Sequence, residues 1–436
     1  MRFSSYNMVC NIDNKRYVYN SISKSVLQLQ IGCEIDFEDD NLCDVENLFN
    51  KKQCLSLQNN GFIIEDDFDE LKSLEYIYKK NFFDSSELTL ILTPTFECNF
   101  SCPYCFEAPQ RKTKTSKNYF DVLKKYAYKN FKNYRHVELS LFGGEPLLLY
   151  SQFSDMLEYT KKLSGQYGFD YSTSIVTNGS LITENIVDSL IKHHCRTLQI
   201  TLDGGKESHD KTRKFKNNKP SFDMLIRIIN EKLEKYFEDS NSEFYLRINL
   251  NNNSVMELKE TLLKIKKELR KYIIVSIRVV YNTETYSNKN KNTIDELKEF
   301  YDTAASLGYK LSNNRYYNRS CEACCDEKVF YITPDLGIWK CINTMSLENG
   351  KIGYINENGD MIIDAKRMLE WYSAADCFDE ETCVKCKRLP DCFGGCILHK
   401  SVYGKRACTP FDMTSLSYFL VLCQDLVQVK MRFSPF

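Results

Sequence analysis

Leu88-Thr89-Leu90-Ile91-Leu92, followed shortly by Cys98-Asn99-Phe100-Ser101-Cys102-Pro103-Tyr104-Cys105, is the stretch on which the reading of this chain turns. The first five residues form a short β-rich apolar run, and three thiols follow it in a Cys-x3-Cys-x2-Cys loop. A loop at the carboxyl end of a strand is where active sites gather in βα barrels. Three thiolates can ligate three irons of a four-iron cubane, which leaves one iron open to a small molecule; four thiolates would suit electron transfer alone. On these residues by themselves a zinc site is the other reading, because Cys-x2-Cys is common in zinc modules.

Outward from that stretch, residues 87–309 alternate short β-rich runs with longer helical patterns, the signature of βα units on a parallel sheet. Six strands are expected, at 88–92, 137–142, 172–177, 197–202, 244–250 and 273–280, each followed by a helix. One helix opens on a capping box of Ser254 and Glu257, behind which Val255, Leu258, Leu262, Ile265 and Leu269 recur at three and four residues. Thr293 and Glu296 open the last helix in the same way, and Gly308 is placed to end it. Residues 1–86 read as a small α+β module, with a hairpin around Asp13-Asn14 and helices near 43–58 and 68–81. Residues 310–436 are short segments punctuated by Cys, Gly and Pro, which build little core and need metal clusters in its place. The expected fold class is α/β, a six-unit βα domain between a small N-terminal α+β module and a Cys-rich C-terminal domain.

Composition narrows the partners. The 58 Lys and Arg against 59 Asp and Glu leave no charge footprint for nucleic acid or an anionic membrane. No apolar run of about 18 residues is present, and MRFSSYNMVC lacks the pattern of a secretory signal, so a soluble, cytoplasmic protein is expected. In such a compartment thiols stay reduced, and 19 cysteines point to metal ligation in place of disulfides. They lie unevenly, with three at 98–105 and ten from Cys321 to Cys408, which implies two metal-bearing regions.

The Cys-x3-Cys-x2-Cys spacing followed by Phe106, just behind the first strand of a six-unit βα domain, resembles the radical S-adenosylmethionine (SAM) superfamily over roughly residues 88–310. The resemblance implies a partial (β/α)6 barrel in which Cys98, Cys102 and Cys105 hold a 4Fe–4S cluster that cleaves SAM to a 5'-deoxyadenosyl radical. It implies that Gly143-Gly144-Glu145-Pro146 receives the methionine amino group of SAM, and it makes Thr177-Asn178-Gly179 and Thr201-Leu202-Asp203-Gly204 family positions at strand ends. Thr201 is expected to offer SAM a hydroxyl, Arg213 to pair with the methionine carboxylate, and Asn249 to bond the ribose. Taken singly, each of these three also suits a cap or a surface position. Asp203 is expected to shape a turn.

The second cysteine field, Cys383-x2-Cys386-x5-Cys392-x3-Cys396 and then Cys408, with Gly337-Ile338-Trp339-Lys340-Cys341 upstream, resembles the SPASM extension of these enzymes. That extension carries two auxiliary 4Fe–4S clusters, making three in all. The resemblance implies Cys321, Cys325, Cys341 and Cys396 on the cluster nearer the barrel, and Cys383, Cys386, Cys392 and Cys408 on the outer one. Adjacent Cys324 and Cys325 are not separable by spacing, and zinc, with His399 as a ligand, is the alternative metal. Cys377 has no assigned partner.

Enzymes with this combination mostly act on peptides or proteins. The implied function is maturation of a ribosomally made precursor, a leader plus a Cys-containing core, with a thioether crosslink as the expected bond and a flavodoxin- or ferredoxin-type reductant as electron donor. Carbon–carbon crosslinking and formylglycine formation in sulfatases are the alternatives within the class; an iron–sulfur electron relay is the alternative outside it. Sulfatase-maturing relatives place an Asp after the Cys that matches Cys341, where Ile342 stands here and offers no base. The N-terminal module would capture a leader by strand addition, or equally cap the barrel's end.

Overall fold

Successive side chains of a strand face opposite ways, and Glu87–Leu92 (β1) follows that rule, with Leu88, Leu90 and Leu92 buried. In the structure, a computed structural model, β1 pairs in parallel with His136–Leu141 (β2) and sets Leu88, Leu90 and Leu92 beside Val137, Leu139 and Leu141. Asp170–Thr177 (β3), Cys195–Leu202 (β4), Glu243–Leu250 (β5) and Ile273–Val279 (β6) continue the sheet in chain order, all parallel. Lys310–Leu311 (β7) lies beyond β6. On the other edge Val329–Ile332 (β8) joins β1 in parallel, and Gly337–Trp339 (β9), Lys351–Ile355 (β10) and Met361–Ile363 (β11) follow antiparallel. This is the expected open, partial (β/α)6 barrel, extended past β1 by strands from the region after Tyr309. The structure describes all residues except 13–14, 31, 41–44, 240, 251–254, 280–293, 312–326, 346, 348, 407–427 and 430–436.

Helices cover the sheet with apolar stripes. Tyr119–Asn130 (α1) buries Val122, Leu123 and Tyr126, and Tyr150–Tyr167 (α2) buries Phe153, Met156 and Leu157. Glu184–Lys192 (α3) begins at Thr183, whose hydroxyl accepts from Ile186 N. Lys206–Thr212 (α4) and Phe222–Glu231 (α5) follow β4.

The periodicity from Val255 predicts one helix through Leu269, but Val255–Leu263 (α6) stops earlier. Ile265 and Leu269 remain buried across a break that distant groups pin. Asn230 Oδ1 accepts from Lys266 N at 2.9 Å, and the Arg270 guanidinium donates to Ile265 O at 2.9 Å and to Leu263 O at 3.2 Å. Tertiary hydrogen bonds thus overrule helix propensity there. The last helix, Ile294–Ser306 (α7), is followed by Gly308 at φ +89°, as expected, while the caps assigned to Ser254 and Thr293 lie outside the described residues.

The chain divides into two compact units. One holds the barrel with residues 326–369; the other combines residues 1–83 with the described residues from Glu370 onward. In the second, strands Asn7–Ile12 and Lys15–Asn20 form the antiparallel pair expected around 13–14, Val26–Gln28 adds to it, and Gln428–Val429 pairs in parallel with Val26–Gln28. Helix Lys51–Asn59 opens on an Asn50–Gln53 capping box, and Glu70–Phe82 on Asp69. Phe3, Phe37, Phe49, Leu57 and Phe62 form one core of this unit. A second core joins Tyr6 and Leu74 to Cys377, Cys383 and Leu389, so N-terminal and C-terminal residues share one interior.

Candidate active site at the strand carboxyl ends

The loop that leaves β1 carries Cys98, Cys102 and Cys105, and its backbone is fastened on two sides. Gly144 N donates to Thr95 O at 3.2 Å and Glu145 N to Glu97 O at 2.8 Å, tying it to the end of β2. Ser101 N donates to Lys214 O at 3.0 Å and Lys216 N to Asn99 O at 2.9 Å, tying it to the segment after α4, and Phe100 meets Phe215 edge to face at 4.8 Å. Gly143 lies at φ +125°, and a Cβ on Gly144 would fall 2.3 Å from Glu97 O. The Gly-Gly pair therefore lets two backbones touch.

Glu145 is fully buried, and its carboxylate accepts from Thr177 Oγ1 at 2.7 Å, Asn178 N at 2.8 Å and Leu147 N at 3.0 Å. Burial raises its pKa against the opposing pull of these donors. The same Asn178 reaches the cysteine loop: its Nδ2 donates to Asn99 Oδ1 at 2.8 Å and to Cys98 Sγ at 3.8 Å, while Phe100 N donates to Cys98 Sγ at 3.3 Å. Two N–H groups aimed at one sulfur suit a metal-bound thiolate. Burial pushes the Cys98 and Cys105 thiols up and that of Cys102 to about 11, with Arg213 opposing at Cys102. Such thiols are poor free nucleophiles, and a bound metal would supply their deprotonation.

A second network centres on Asp203, which is fully buried at the end of β4. Its carboxylate accepts from Tyr104 OH, from Thr212 Oγ1 at 2.7 Å and from Asn249 Nδ2 at 3.2 Å, with Arg213 Nη1 at 4.0 Å. Arg213 also donates to Tyr104 OH at 3.0 Å, and Asn249 Oδ1 accepts from Arg247 Nε at 2.9 Å. Thr201 is buried nearby in β4. A turn-shaping role does not account for these contacts: the Asp203 carboxylate gathers Tyr104, Arg213 and Asn249 from three parts of the chain. Tyr104 is the residue that sequence reasoning passed over, while Asp203 reads in the sequence only as a turn residue. The one signal for Tyr104 was its place inside the cysteine motif.

The residues fit a bound group. Thr93 Oγ1, Glu107 Oε1, Arg111 Nε and Arg213 Nε, all on or beside this loop, are buried with no hydrogen-bond partner among the described residues. Burial pushes the Glu107 carboxyl up to about 8 against the opposing charge of Arg111. Among the described residues no three Cys, His, Asp or Glu side chains gather tightly enough for a single metal ion; a cubane, with one iron per thiolate, sets its ligands further apart.

Of the C-terminal cysteines, Cys383, Cys386, Cys392 and Cys396 lie in the unit with residues 1–83, and Cys341 lies in the barrel unit at the end of β9. Cys321, Cys324, Cys325 and Cys408 lie outside the described residues. None of the described cysteines is in a disulfide. Among the described residues no helix is long and apolar enough to cross a membrane.

An open parallel barrel with three cysteines in its first strand-end loop, beside buried unpartnered donors, defines an enzyme class that mounts an iron–sulfur cluster and its ligand at the strand carboxyl ends. Comparison with known proteins agrees: the Radical SAM superfamily profile matches residues 92–262. The radical SAM cyclopropyl synthase TigE of Paramaledivibacter caminithermalis is 25% identical over 89% of this chain and 84% of its own. A cysteine-type anaerobic sulfatase-maturating enzyme of Clostridium novyi is 24% identical over 72% of this chain and 88% of its own. In fold, native anSMEcpe with bound AdoMet and Kp18Cys peptide covers 78% of this chain and 98% of its own, with a TM-score of 0.57 at 18% identity. Residues 92–262 carry the radical SAM superfamily match, and with these relatives they make the chain a radical SAM enzyme, a class that implies a 4Fe–4S cluster and SAM.

Proposed function

We propose that the chain is a radical SAM maturase that modifies a ribosomally made precursor peptide, with Cys98, Cys102 and Cys105 as ligands of the SAM-binding cluster. The observation that carries this reading is the Cys98 sulfur under two N–H donors, one of them from Asn178, whose backbone N–H is fixed by Glu145. When bound, the cluster and SAM would supply the chemistry of a 5'-deoxyadenosyl radical, able to remove hydrogen from an unactivated carbon.

The chain's own residues hold and enclose that chemistry. Glu145 and Thr177 fix the end of β3 against the cysteine loop, so that the Gly143–Pro146 segment faces the methionine end of SAM. Arg213, held by Tyr104 and Asp203, keeps Nε for the SAM carboxylate, and Asn249 and Thr201 flank the nucleoside side.

In the C-terminal field, Cys321, Cys325, Cys341 and Cys396 would hold an inner auxiliary cluster and Cys383, Cys386, Cys392 and Cys408 an outer one, with a flavodoxin- or ferredoxin-type reductant outside the chain. Residues 1–86 would receive the leader, the barrel would span 87–309, and the auxiliary clusters would occupy 310–436. A thioether from a substrate Cys is the bond we propose. Carbon–carbon bond formation is the second reading, favoured by the cyclopropyl synthase that aligns over most of the chain. Sulfatase maturation finds relatives too, but Ile342 stands where those enzymes are expected to carry a basic carboxylate.

Anaerobic reconstitution with iron and sulfide, then dithionite and SAM, tests the core of the proposal by release of 5'-deoxyadenosine. Cys98→Ala is expected to abolish it. Cys383→Ala is expected to retain cleavage while a co-expressed Cys-containing precursor peptide keeps its unmodified mass. Release of 5'-deoxyadenosine by Cys98→Ala at the wild-type rate would remove the proposed site.

A further inference from the structure

Between Cys386 and Cys392 runs a five-residue spacer, Lys387-Arg388-Leu389-Pro390-Asp391, whose last three residues are buried. Asp391 is 1% exposed, so its carboxylate requires partners. Those partners come from the opposite end of the sequence. Lys24 forms an ion pair with Asp391, and Tyr19 OH donates to Asp391 Oδ1 at 2.9 Å. The Lys24 ammonium also donates to Pro390 O at 3.1 Å and to Ser21 O at 2.5 Å, and Ser21 Oγ donates to Lys387 O at 2.6 Å.

One turn of the N-terminal sheet, between strands Lys15–Asn20 and Val26–Gln28, thus grips the spacer at its first residue and at its last two. Lys24 makes this grip from φ +62°, a left-handed conformation that a lysine adopts only when its surroundings hold it there. The spacer itself has little freedom left, since Cys392 N donates to Arg388 O at 3.2 Å and Leu389 packs in the core with Cys383.

We propose that Lys24 is a positioning residue for the outer iron–sulfur cluster, fixing Cys392 relative to Cys383 and Cys386 and cancelling the buried charge of Asp391 beside it. The inference rests on the auxiliary-cluster reading given above. A cluster held by thiolates gains an electron less readily beside an uncompensated carboxylate and more readily beside an uncompensated ammonium. Geometry and charge therefore make separable demands: Lys24 is needed for occupancy, and the balance of the pair for potential.

Full-length protein, reconstituted anaerobically, provides the test through iron per chain and an EPR-monitored redox titration, with 5'-deoxyadenosine release as the check that the barrel is intact. Wild type is expected to carry about twelve irons, as three four-iron clusters require. Lys24→Met should lose about four of them while still cleaving SAM, and Lys24→Arg should restore them. Asp391→Asn should keep its iron and titrate at a higher potential than wild type. Full iron and an unchanged potential in Lys24→Met, or loss of the cluster in Asp391→Asn to the same extent as in Lys24→Met, would overturn the inference alone. Only about four irons in the wild type would instead overturn the auxiliary-cluster reading beneath it.

Discussion

Cys98 sits in a loop anchored by polar contacts, to Asn178 and Glu145 on one side and to the Asp203 group on the other, whereas Cys383 sits in an apolar core with Tyr6, Leu74, Cys377 and Leu389. Among the described residues, the first region leaves polar atoms of Thr93, Glu107, Arg111 and Arg213 buried without hydrogen-bond partners around its cysteines; the second spends most of its polar groups on closing its own spacer and leaves Arg406 Nε, 3.8 Å from Glu380, as its one such atom near the cysteines. Donors left open suit a site where a ligand comes and goes with each turnover. A sealed apolar surround suits a group that stays and only gains or loses electrons.

The strongest way to break this contrast is to remove the polar hub of the first region. Asp203→Ala leaves the buried Arg213 without its carboxylate and removes the acceptor that Tyr104, Thr212 and Asn249 share, at a cost of about 3–5 kcal/mol. SAM binding measured by calorimetry should be lost with it, while iron in the second region stays; unchanged SAM affinity would deny the hub its role. Leu389→Ala makes the reciprocal change, opening a cavity beside Cys383 at about 2–4 kcal/mol. It should lower the unfolding midpoint and leave 5'-deoxyadenosine release intact, and a loss of that release would show the two regions to be one.

A smaller effect sharpens the contrast through pH. His209 is fully buried, accepts from Asp203 N at Nδ1, and meets Ser221 Oγ at Nε2, where the Ser221 hydroxyl is already donating to Arg213 O. These partners assign the neutral ring with its proton on Nε2. Burial, with Arg213 adding to it, holds the folded pKa well below 6.5. Protons then favour the unfolded chain: the stabilisation is complete above pH 6.5 and is lost as pH falls below it, by about 1.4 kcal/mol per unit. Denaturant unfolding at pH 7 and pH 5.5 should show that slope in the wild type and a flatter one in His209→Gln; equal slopes would assign the acid sensitivity elsewhere.

How much of this was legible follows from the distance over which each feature is encoded. Strands β1 to β6 announce themselves by local apolar runs, and the cysteine motif by its spacing, so the barrel and the position of its first loop could be read directly. The end of α6 could not, because Asn230 and Arg270 decide it from other elements. Asp203 draws partners from positions 104, 212, 213 and 249, none of which a linear pattern joins to it. Farther still, Tyr19 and Asp391 meet across 372 positions, and no periodicity reports a contact of that span.

The unit made from both ends of the chain has a consequence for biosynthesis. Ribosomes deliver residues 1–83 first and the cysteines from Cys377 onward last, with the barrel emerging between them. The early hairpin and the Phe3–Phe37 core can collapse at once, yet Tyr6 and Leu74 wait for Cys383 and Leu389 until the whole barrel has been translated. A stalled product that stops short of these cysteines would leave that apolar interior unfinished and exposed to the cell's quality control.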